Sequence, residues 1–123
     1  MRLRPKDVPP LREKMAKEQG GLCALCQSSL HDKVACLDHD HATGRIRAVL
    51  CQNCNGIEGK IHNLARRARR DRTVDDFLHA ILAYWKFHRD ACLPILHPSH
   101  RTPDEKRLKR NKKARLRRAK NKA

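Results

Sequence analysis

The chain has 123 residues, of which only 3% are aromatic, so it has room for one small domain with a modest apolar core. A core of this size usually needs a metal or a disulfide to hold it together. The formal net charge of +16 favours a polyanionic partner, nucleic acid above all, over a merely solvated basic surface. No apolar signal segment follows Met1. The sequence also has no run of about 18 apolar residues, the length that is needed to span a membrane. We therefore expect a cytoplasmic protein without a membrane partner, whose cysteines bind metal more readily than they form disulfides.

Short helical and strand patterns fill the first half of the chain. A helix from about Leu11 to Gln19 ends at two glycines. A strand over residues 34–37 and a returning strand over residues 45–50 flank a Thr-Gly turn. A longer helix begins near Asn53. Its apolar stripe falls at helical spacing and consists of Ile57, Ile61, Leu64, Ala65 and Ala68.

A second amphipathic helix follows a clear start signal. Thr73 and Asp76 form a T-x-x-D capping box, and apolar residues recur at helical spacing from Val74 to Trp85. Pro94 ends the helix at the latest. Its apolar stripe is wide for so small a domain, and two interpretations stay open. Either the stripe completes the core, or part of it is a dimer interface.

The end of the chain is a basic tail. After a proline-containing linker over residues 94–98, Thr102 and Pro103 form another helix start signal. Residues 101–123 contain twelve Lys or Arg and two acids, a net charge of +10. The tail has few apolar anchors, so we expect it to be disordered or frayed alone and helical when it lies along phosphates.

Two C-x-x-C pairs, Cys23/Cys26 and Cys51/Cys54, are separated by 24 residues. Two residues between thiolates let both sulfurs reach one ion, and two such knuckles form the four-sulfur set of a structural zinc site. The alternative, a thioredoxin-like redox pair, needs a single C-x-x-C in a βαβ unit, and that pattern is absent. The remaining cysteines, Cys36 and Cys92, are expected to be ordinary buried thiols.

A distinctive set of polar residues lies between and after the knuckles. It reads Asp38-His39-Asp40-His41, then Arg47-x-x-Leu50-Cys51-x-x-Cys54-Asn55, then Glu58-Gly59. Together with the first knuckle, this pattern resembles the phage recombination endonuclease VII family, part of the wider HNH or ββα-metal (His-Me finger) nucleases. The resemblance covers roughly residues 20 to 60. It implies a small α+β fold in which a zinc-stapled ββα-metal motif is followed by helices and a basic tail.

Phosphodiester hydrolysis needs an activated water and charge stabilisation at phosphorus. A histidine suits the general base, and a hard divalent cation takes oxygen ligands such as those of Asp38 and Asn55. The resemblance implies that these two residues hold a catalytic Mg²⁺ or Mn²⁺ and that His39 deprotonates the attacking water. It also implies that His41 orients the phosphate and that Glu58 supports the site. A second zinc site formed by the same His and Asp residues is the alternative.

The geometry of that cluster is only partly predictable. Glu58 lies three residues beyond Asn55, on the same helix face. In an ideal strand Asp38 and His39 point to opposite faces. The chain must therefore bend or bulge if both side chains serve one site.

Basic residues predict where DNA, duplex or branched, is bound. Phosphate contacts supply affinity without sequence information, and no helix carries the side chains of a sequence-specific reader. The predicted DNA-binding residues lie on the hairpin, at the end of the central helix and in the tail: Arg45, Arg47, Arg66, Arg67, Arg69, Arg70, Lys109, Arg110, Lys112, Lys113, Arg115, Arg117 and Arg118.

The sequence thus predicts a nuclease core at residues 1–60, a helical extension at 61–93 that completes the core or forms a dimer interface, and a linker with a DNA-binding tail at 94–123. The predicted function is metal-dependent DNA cleavage, either as a homodimer that resolves Holliday junctions or as a nicking enzyme. A recruiting protein is a further candidate partner. The alternative is a non-catalytic zinc protein that binds nucleic acid.

Overall fold

The computed structural model describes residues 1–122. In this range the chain forms four α-helices and one two-stranded sheet, a small α+β arrangement as expected. It divides into two compact units, Met1–Tyr84 and the remainder from Trp85 onward. The division falls inside a helix, and the predicted domain boundaries after residues 60 and 93 stay predictions.

The first unit begins with a 3₁₀ turn, Pro5–Asp7, and helix α1, Val8–Glu18. Helix α1 starts three residues before the predicted Leu11, because prolines are tolerated in a first turn, where their missing N–H needs no partner. It ends where the two glycines at positions 20 and 21 adopt positive φ angles of 70° and 72°.

The antiparallel hairpin consists of β1, Ala35–His39, and β2, Ile46–Cys51. Strand β1 is longer than predicted and includes both Asp38 and His39. Its register shifts within the strand, since Leu37 pairs with Val49 but His39 pairs with Ile46. Two residues of β2 therefore lie opposite a single residue of β1, Asp38. The irregularity predicted at this point is present as a β-bulge.

Helix α2, Gln52–Ala68, follows β2 without a loop. Its predicted apolar stripe is largely solvent-exposed, and Ala65 is the one member that is buried. Cys54, which lies on the first turn, is also buried. The helix is therefore held to the hairpin through its N-terminal turn, where Cys54 belongs to the buried core cluster, more than through its large aliphatic side chains.

The apolar core is small and centred on the knuckles. Its buried cluster contains Cys23, Leu30, Val49, Leu50, Cys51 and Cys54, with Met15, Ala16, Ala35 and Leu37 packed against it. The Gln19 side chain links α1 to β2, because its amide oxygen accepts from Val49 N–H at 2.8 Å and its amide nitrogen donates to the Val49 carbonyl at 2.9 Å. Cysteine sulfurs thus occupy the centre of the core.

Helix α3, Val74–Ala91, has the predicted cap, in which the Thr73 hydroxyl accepts from Asp76 N–H at 3.1 Å. None of its residues is buried. The absence of a buried residue in this helix favours the dimer interface over completion of the core, and both stay predictions. Large apolar side chains such as Leu82, Trp85 and Phe87 remain exposed.

Helix α4, Pro103–Lys122, lies in the second unit and also contains no buried residue. Thr102 caps it by accepting a hydrogen bond from Glu105 N–H at 3.2 Å. The expectation of a disordered or frayed tail is wrong in this structure. Lys, Arg, Leu and Ala are strong helix formers. Acids in the first turn and bases in the last turn also stabilise the helix through its dipole.

Cys36 is only partly buried and Cys92 is exposed, so the expectation that both are buried thiols is wrong. None of the described helices is both long enough and apolar enough to cross a membrane.

Candidate functional site

The four knuckle cysteines come together as predicted. One ligand atom from each of Cys23, Cys26, Cys51 and Cys54 lies within 4.8 Å of the others, and the Cys26 and Cys51 sulfurs are 4.0 Å apart. A tetrahedral zinc site with Zn–S bonds of about 2.3 Å has sulfurs about 3.8 Å apart. The four thiols therefore need to contract only slightly to hold one metal ion.

The surroundings of these sulfurs favour thiolates at some positions and oppose them at others. Burial raises the pKa of Cys23, but backbone N–H groups of Cys26 and Cys51 outweigh it, and the pKa lies below its ordinary value. Hydrogen bonds from Ser28 lower the pKa of Cys26 to about 6. Burial, with hydrogen bonding to the neighbouring sulfurs, raises the pKa of Cys54 to about 12. A divalent cation is the group that would stabilise all four as thiolates.

An ion pair between a buried carboxylate and a partly exposed guanidinium lies at the bulge of the hairpin. Asp38 is only 6% exposed, and Arg47 donates to both of its oxygens, from Nε at 2.7 Å and from Nη2 at 3.1 Å. These hydrogen bonds raise the pKa of the guanidinium above its ordinary value, although burial opposes the shift. The bulge places Arg47 opposite Asp38, and so it brings the two side chains together.

The same guanidinium reaches helix α2. Arg47 Nη2 lies 3.1 Å from Glu58 Oε2, yet this buried oxygen accepts no hydrogen bond of good geometry. We regard the contact as an electrostatic pair and not as a satisfied hydrogen bond. One cation thus sits between two carboxylates, with unused lone pairs on both acids.

The two predicted catalytic histidines are neighbours. The rings of His39 and His41 have centroids 5.1 Å apart and are tilted by 49°. The Nε2 atom of His41 lies 3.9 Å from where a Cβ on Gly59 would be, one residue beyond Glu58. A Cβ at this position would make an ordinary van der Waals contact with the imidazole, so His41 lies beside α2.

Asp40 holds the turn between the strands. One of its oxygens accepts from the N–H groups of Ala42 and Thr43, at 2.9 Å and 2.8 Å. These backbone hydrogen bonds, that of Thr43 first, lower the pKa of Asp40. The turn fixes the position of His41, which lies between Asp40 and the two donors.

Asn55 lies half-buried in the first turns of α2, one helical turn before Glu58. Among the described residues, the four knuckle cysteines are the one group of three or more Cys, His, Asp or Glu side chains close enough to hold a metal. The alternative of a second zinc site at Asp38, His39 and His41 therefore has no preformed ligand set. A site built from a carboxylate, an amide and water needs fewer protein ligands.

The predicted DNA-binding arginines of the first unit differ in their surroundings. Arg45, Arg66, Arg67 and Arg70 are exposed. Arg69 is half-buried and donates to the Arg72 carbonyl at 2.6 Å. The ion pairs of Arg47 compete with any phosphate contact, so that contact stays a prediction.

Sequence reasoning missed two positioning roles. Gln19, which bridges α1 and β2, carried no signal, because a glutamine at the end of a helix is ordinary. The Arg47–Asp38 pair did carry one, since opposite charges facing each other across a hairpin attract. The bulge makes their register hard to predict, however, because it breaks the regular pairing.

Fold and site together define a small α+β protein in which a four-cysteine cluster, suited to holding a metal, lies beside a strand–turn–strand–helix unit that carries acids and histidines. The family model for recombination endonuclease VII matches residues 3–86, more than half of the chain. The chain belongs to the recombination endonuclease VII family, a family of nucleases that act on DNA.

A curated relative matches a shorter stretch. Over 38 residues, 30% of this chain, the sequence is 47% identical to Gene 59 protein of Mycobacterium phage L5. The match covers 23% of that protein's length. The matched stretch therefore spans less than a quarter of the length of this phage relative.

Proposed function

We propose that this protein is a metal-dependent endonuclease that hydrolyses phosphodiester bonds in DNA. The observation that carries the proposal is the buried Asp38 carboxylate, which lies next to His39 in β1 and shares one guanidinium with Glu58. A protein that only binds nucleic acid has no need for a buried acid, an adjacent imidazole and a second acid in this arrangement.

Zinc is the structural metal in this proposal. Four sulfurs within 4.8 Å of one another suit its tetrahedral preference, and a closed four-sulfur site leaves no position for substrate. The cysteines come from the segment before β1 and from the junction between β2 and α2. The ion would therefore pin together the elements that carry the catalytic side chains.

Asp38 and Asn55 would hold the catalytic cation, Mg²⁺ or Mn²⁺. The donor set fits a hard ion, since Asp38 is buried and the buried Glu58 oxygen lacks a well-aligned hydrogen bond. Mg²⁺ commonly takes one or two protein oxygens and keeps several waters. When bound, the cation supplies positive charge to the phosphoryl oxygens.

The histidines would carry the proton transfer. His39 is exposed at the end of β1, where its imidazole can take a proton from an attacking water. His41, held between the Asp40 turn and Gly59, would orient the phosphate. Glu58 would support the site through Arg47.

Arg47 would position the acids in addition to any contact with DNA. Its forked guanidinium binds both oxygens of Asp38 and also reaches Glu58, which a lysine could not reproduce. We infer that it fixes the distance between the hairpin carboxylate and α2.

DNA binding would rest on exposed cations at the end of α2 and in α4. If about eight phosphates are neutralised, the slope of log affinity against log salt is about −7 on duplex DNA. A homodimer is supported by exposed apolar side chains of α3, the predicted interface helix, such as Leu82 and Trp85. Exposed aliphatic side chains along α2, namely Ile57, Ile61 and Leu64, also support it. Junction resolution would need such a dimer with two active sites, whereas nicking would not, and a recruiting protein stays a prediction.

Plasmid cleavage tests the function. Zinc-loaded full-length protein is incubated with supercoiled DNA and Mg²⁺, Mn²⁺ or Ni²⁺, and the His39→Ala variant is compared with His31→Ala, which removes an exposed imidazole outside the cluster. We expect cleavage by the wild type and by His31→Ala, and a rate lower by about 10²–10⁴ in His39→Ala, the usual contribution of a general base. Absence of cleavage by the wild type with every cation would favour the non-catalytic zinc protein.

A further inference from the structure

The second unit contains a cationic cavity that belongs to neither metal site. Its volume is about 690 Å³, and no acidic or apolar side chain lines it. One wall is the loop before α4 and the other is the first half of α4. The lining cations are Arg101, Lys106, Lys109, Arg110 and Lys113.

The loop wall has a defined conformation. His100 N–H donates to the His97 carbonyl at 2.9 Å, which closes a turn, and the His97 imidazole shares a 2.7 Å hydrogen bond with the Ser99 hydroxyl. Arg101 donates to the Pro98 carbonyl at 2.8 Å. The loop therefore places imidazole, hydroxyl and guanidinium groups along one side of the cavity.

The cavity continues along α4. A second concavity of about 490 Å³ shares Arg110 and Lys113 with the first and adds Arg117 and Lys120, together with the apolar Ala114 and Leu116. At about 100° per residue, the six cations Lys106, Lys109, Arg110, Lys113, Arg117 and Lys120 fall within an arc of about 100°. At about 1.5 Å per residue they span roughly 21 Å. We call this row, together with the loop wall, the α4 groove.

The other α4 cations point elsewhere. By the same helical spacing, Lys112, Arg115 and Arg118 lie at least about 60° outside the arc. Neither acid of the helix lines the groove, and both form ion pairs. Asp104 pairs with Arg107 at 3.2 Å, and Glu105 pairs with Arg101 at 3.9 Å. The basic residues that the sequence predicts as one DNA-binding set are thus divided between two faces.

We propose that the α4 groove binds the phosphodiester backbone of one DNA strand, and that the opposite face of α4 does not. The proposal rests on the proposed function, which makes DNA the partner. A row of cations about 21 Å long, with N–H and O–H donors along one wall, matches an extended polyanion. An acidic protein would instead be expected to meet apolar or aromatic anchors at the centre of the surface, and the loop-lined cavity has none.

Two triple variants with equal charge changes test the proposal. Lys109→Gln/Arg110→Gln/Lys113→Gln removes three groove cations, and Lys112→Gln/Arg115→Gln/Arg118→Gln removes three cations from the other face. Glutamine preserves helix propensity, and circular dichroism verifies it. Affinity for a 20-base-pair duplex is measured by fluorescence anisotropy over a salt series without added Mg²⁺ or Mn²⁺, with zinc-loaded full-length protein.

We expect the groove triple to flatten the salt slope by about 2.7 and to weaken binding on the order of 100-fold at physiological salt, because three phosphate contacts are lost. The control triple should flatten the slope by less than about 1. Equal losses in both triples would overturn the groove in favour of diffuse charge. No loss in either would remove α4 from DNA binding.

A second matched pair tests the loop wall. Arg101 and Arg107 each pair with an acid of the first turn of α4, but only Arg101 lines the cavity. We expect Arg101→Gln to flatten the slope by about 0.9 and Arg107→Gln to leave it unchanged. The same slope for both variants would overturn the role of the loop.

These outcomes are separable from the nuclease proposal because they are measured without a catalytic cation. Protein that binds through the groove but fails to nick plasmid with Mg²⁺ would sink the nuclease function and keep the groove. Protein that nicks, but whose two triples bind alike, would do the reverse.

Discussion

The hairpin with its adjoining helix and the terminal helix α4 use charge in opposite ways. In the first unit a buried carboxylate, a guanidinium and a second carboxylate lie in contact, so each group depends on the position of the next. In α4 no residue is buried, and cations repeat along an exposed surface. A single substitution in the first region should therefore abolish its function. In the second region, DNA binding should weaken in proportion to the number of cations removed from one face.

Loss of the metal-binding cluster should have the largest effect of all. We expect Cys54→Ser to unfold the first unit, because zinc binding of order 10 kcal/mol would be folding energy for so small a core. Cys92→Ser is the matched control, since that thiol is exposed and lies in the second unit. Zinc content and thermal melts measure the result. A Cys54→Ser variant that melts like the wild type would break the contrast between the two regions.

The next largest effect concerns a charge-conserving change at the bulge. Arg47→Lys keeps one cation but loses the fork that binds both Asp38 oxygens and Glu58. We expect kcat to fall about tenfold to a hundredfold, as for the loss of charged hydrogen bonds worth about 1.5–3 kcal/mol, with little change in KM. Arg45→Lys, two residues earlier and exposed, should retain kcat. Full kcat in Arg47→Lys would show that the acids need no positioning by Arg47.

A smaller effect is expected where α1 meets β2. Gln19→Ala removes both hydrogen bonds to the Val49 backbone and leaves part-buried polar groups unsatisfied, which costs about 1–3 kcal/mol. Gln52→Ala removes an exposed amide at the start of α2 and should be nearly neutral. Denaturant midpoints with unchanged slopes would record the difference. Identical midpoints for the two variants would contradict the bridging role.

The smallest effect should be confined to the second unit. Thr102→Ala removes the N-cap of α4 and should destabilise that helix by about 1 kcal/mol, which circular dichroism would register as reduced helicity. The melting temperature of the first unit should not change. A shift in that temperature would show that the stability of the first unit depends on α4.

Prediction from sequence succeeded where local chemistry decides the outcome. The C-x-x-C pairs form one cluster as expected, and the capping residues Thr73 and Thr102 lie at helix starts. In both cases the spacing along the chain already restricts the geometry. The family match over residues 3–86 agrees with the motif between the knuckles.

Prediction failed where packing decides. The spacing of Ile57 and Ile61 indicates a helix face but not a partner for that face, and both side chains are exposed. The bulge was expected only as some irregularity near Asp38, because the pairing of Arg47 depends on how the whole hairpin closes. Helix α4 was underestimated because its charge was weighed above its helix propensity.

The most direct test of the central claim is a titration of Mn²⁺ into zinc-loaded full-length protein without DNA, followed by the electron paramagnetic resonance signal of free Mn²⁺. We predict one Mn²⁺ per chain beyond the zinc. Its affinity should fall about tenfold or more in Asp38→Ala and Asn55→Ala and stay unchanged in Asp32→Ala, which removes an exposed acid. Equal Mn²⁺ binding by all four proteins would contradict the account, because the buried acid and the amide of α2 would then not share a cation.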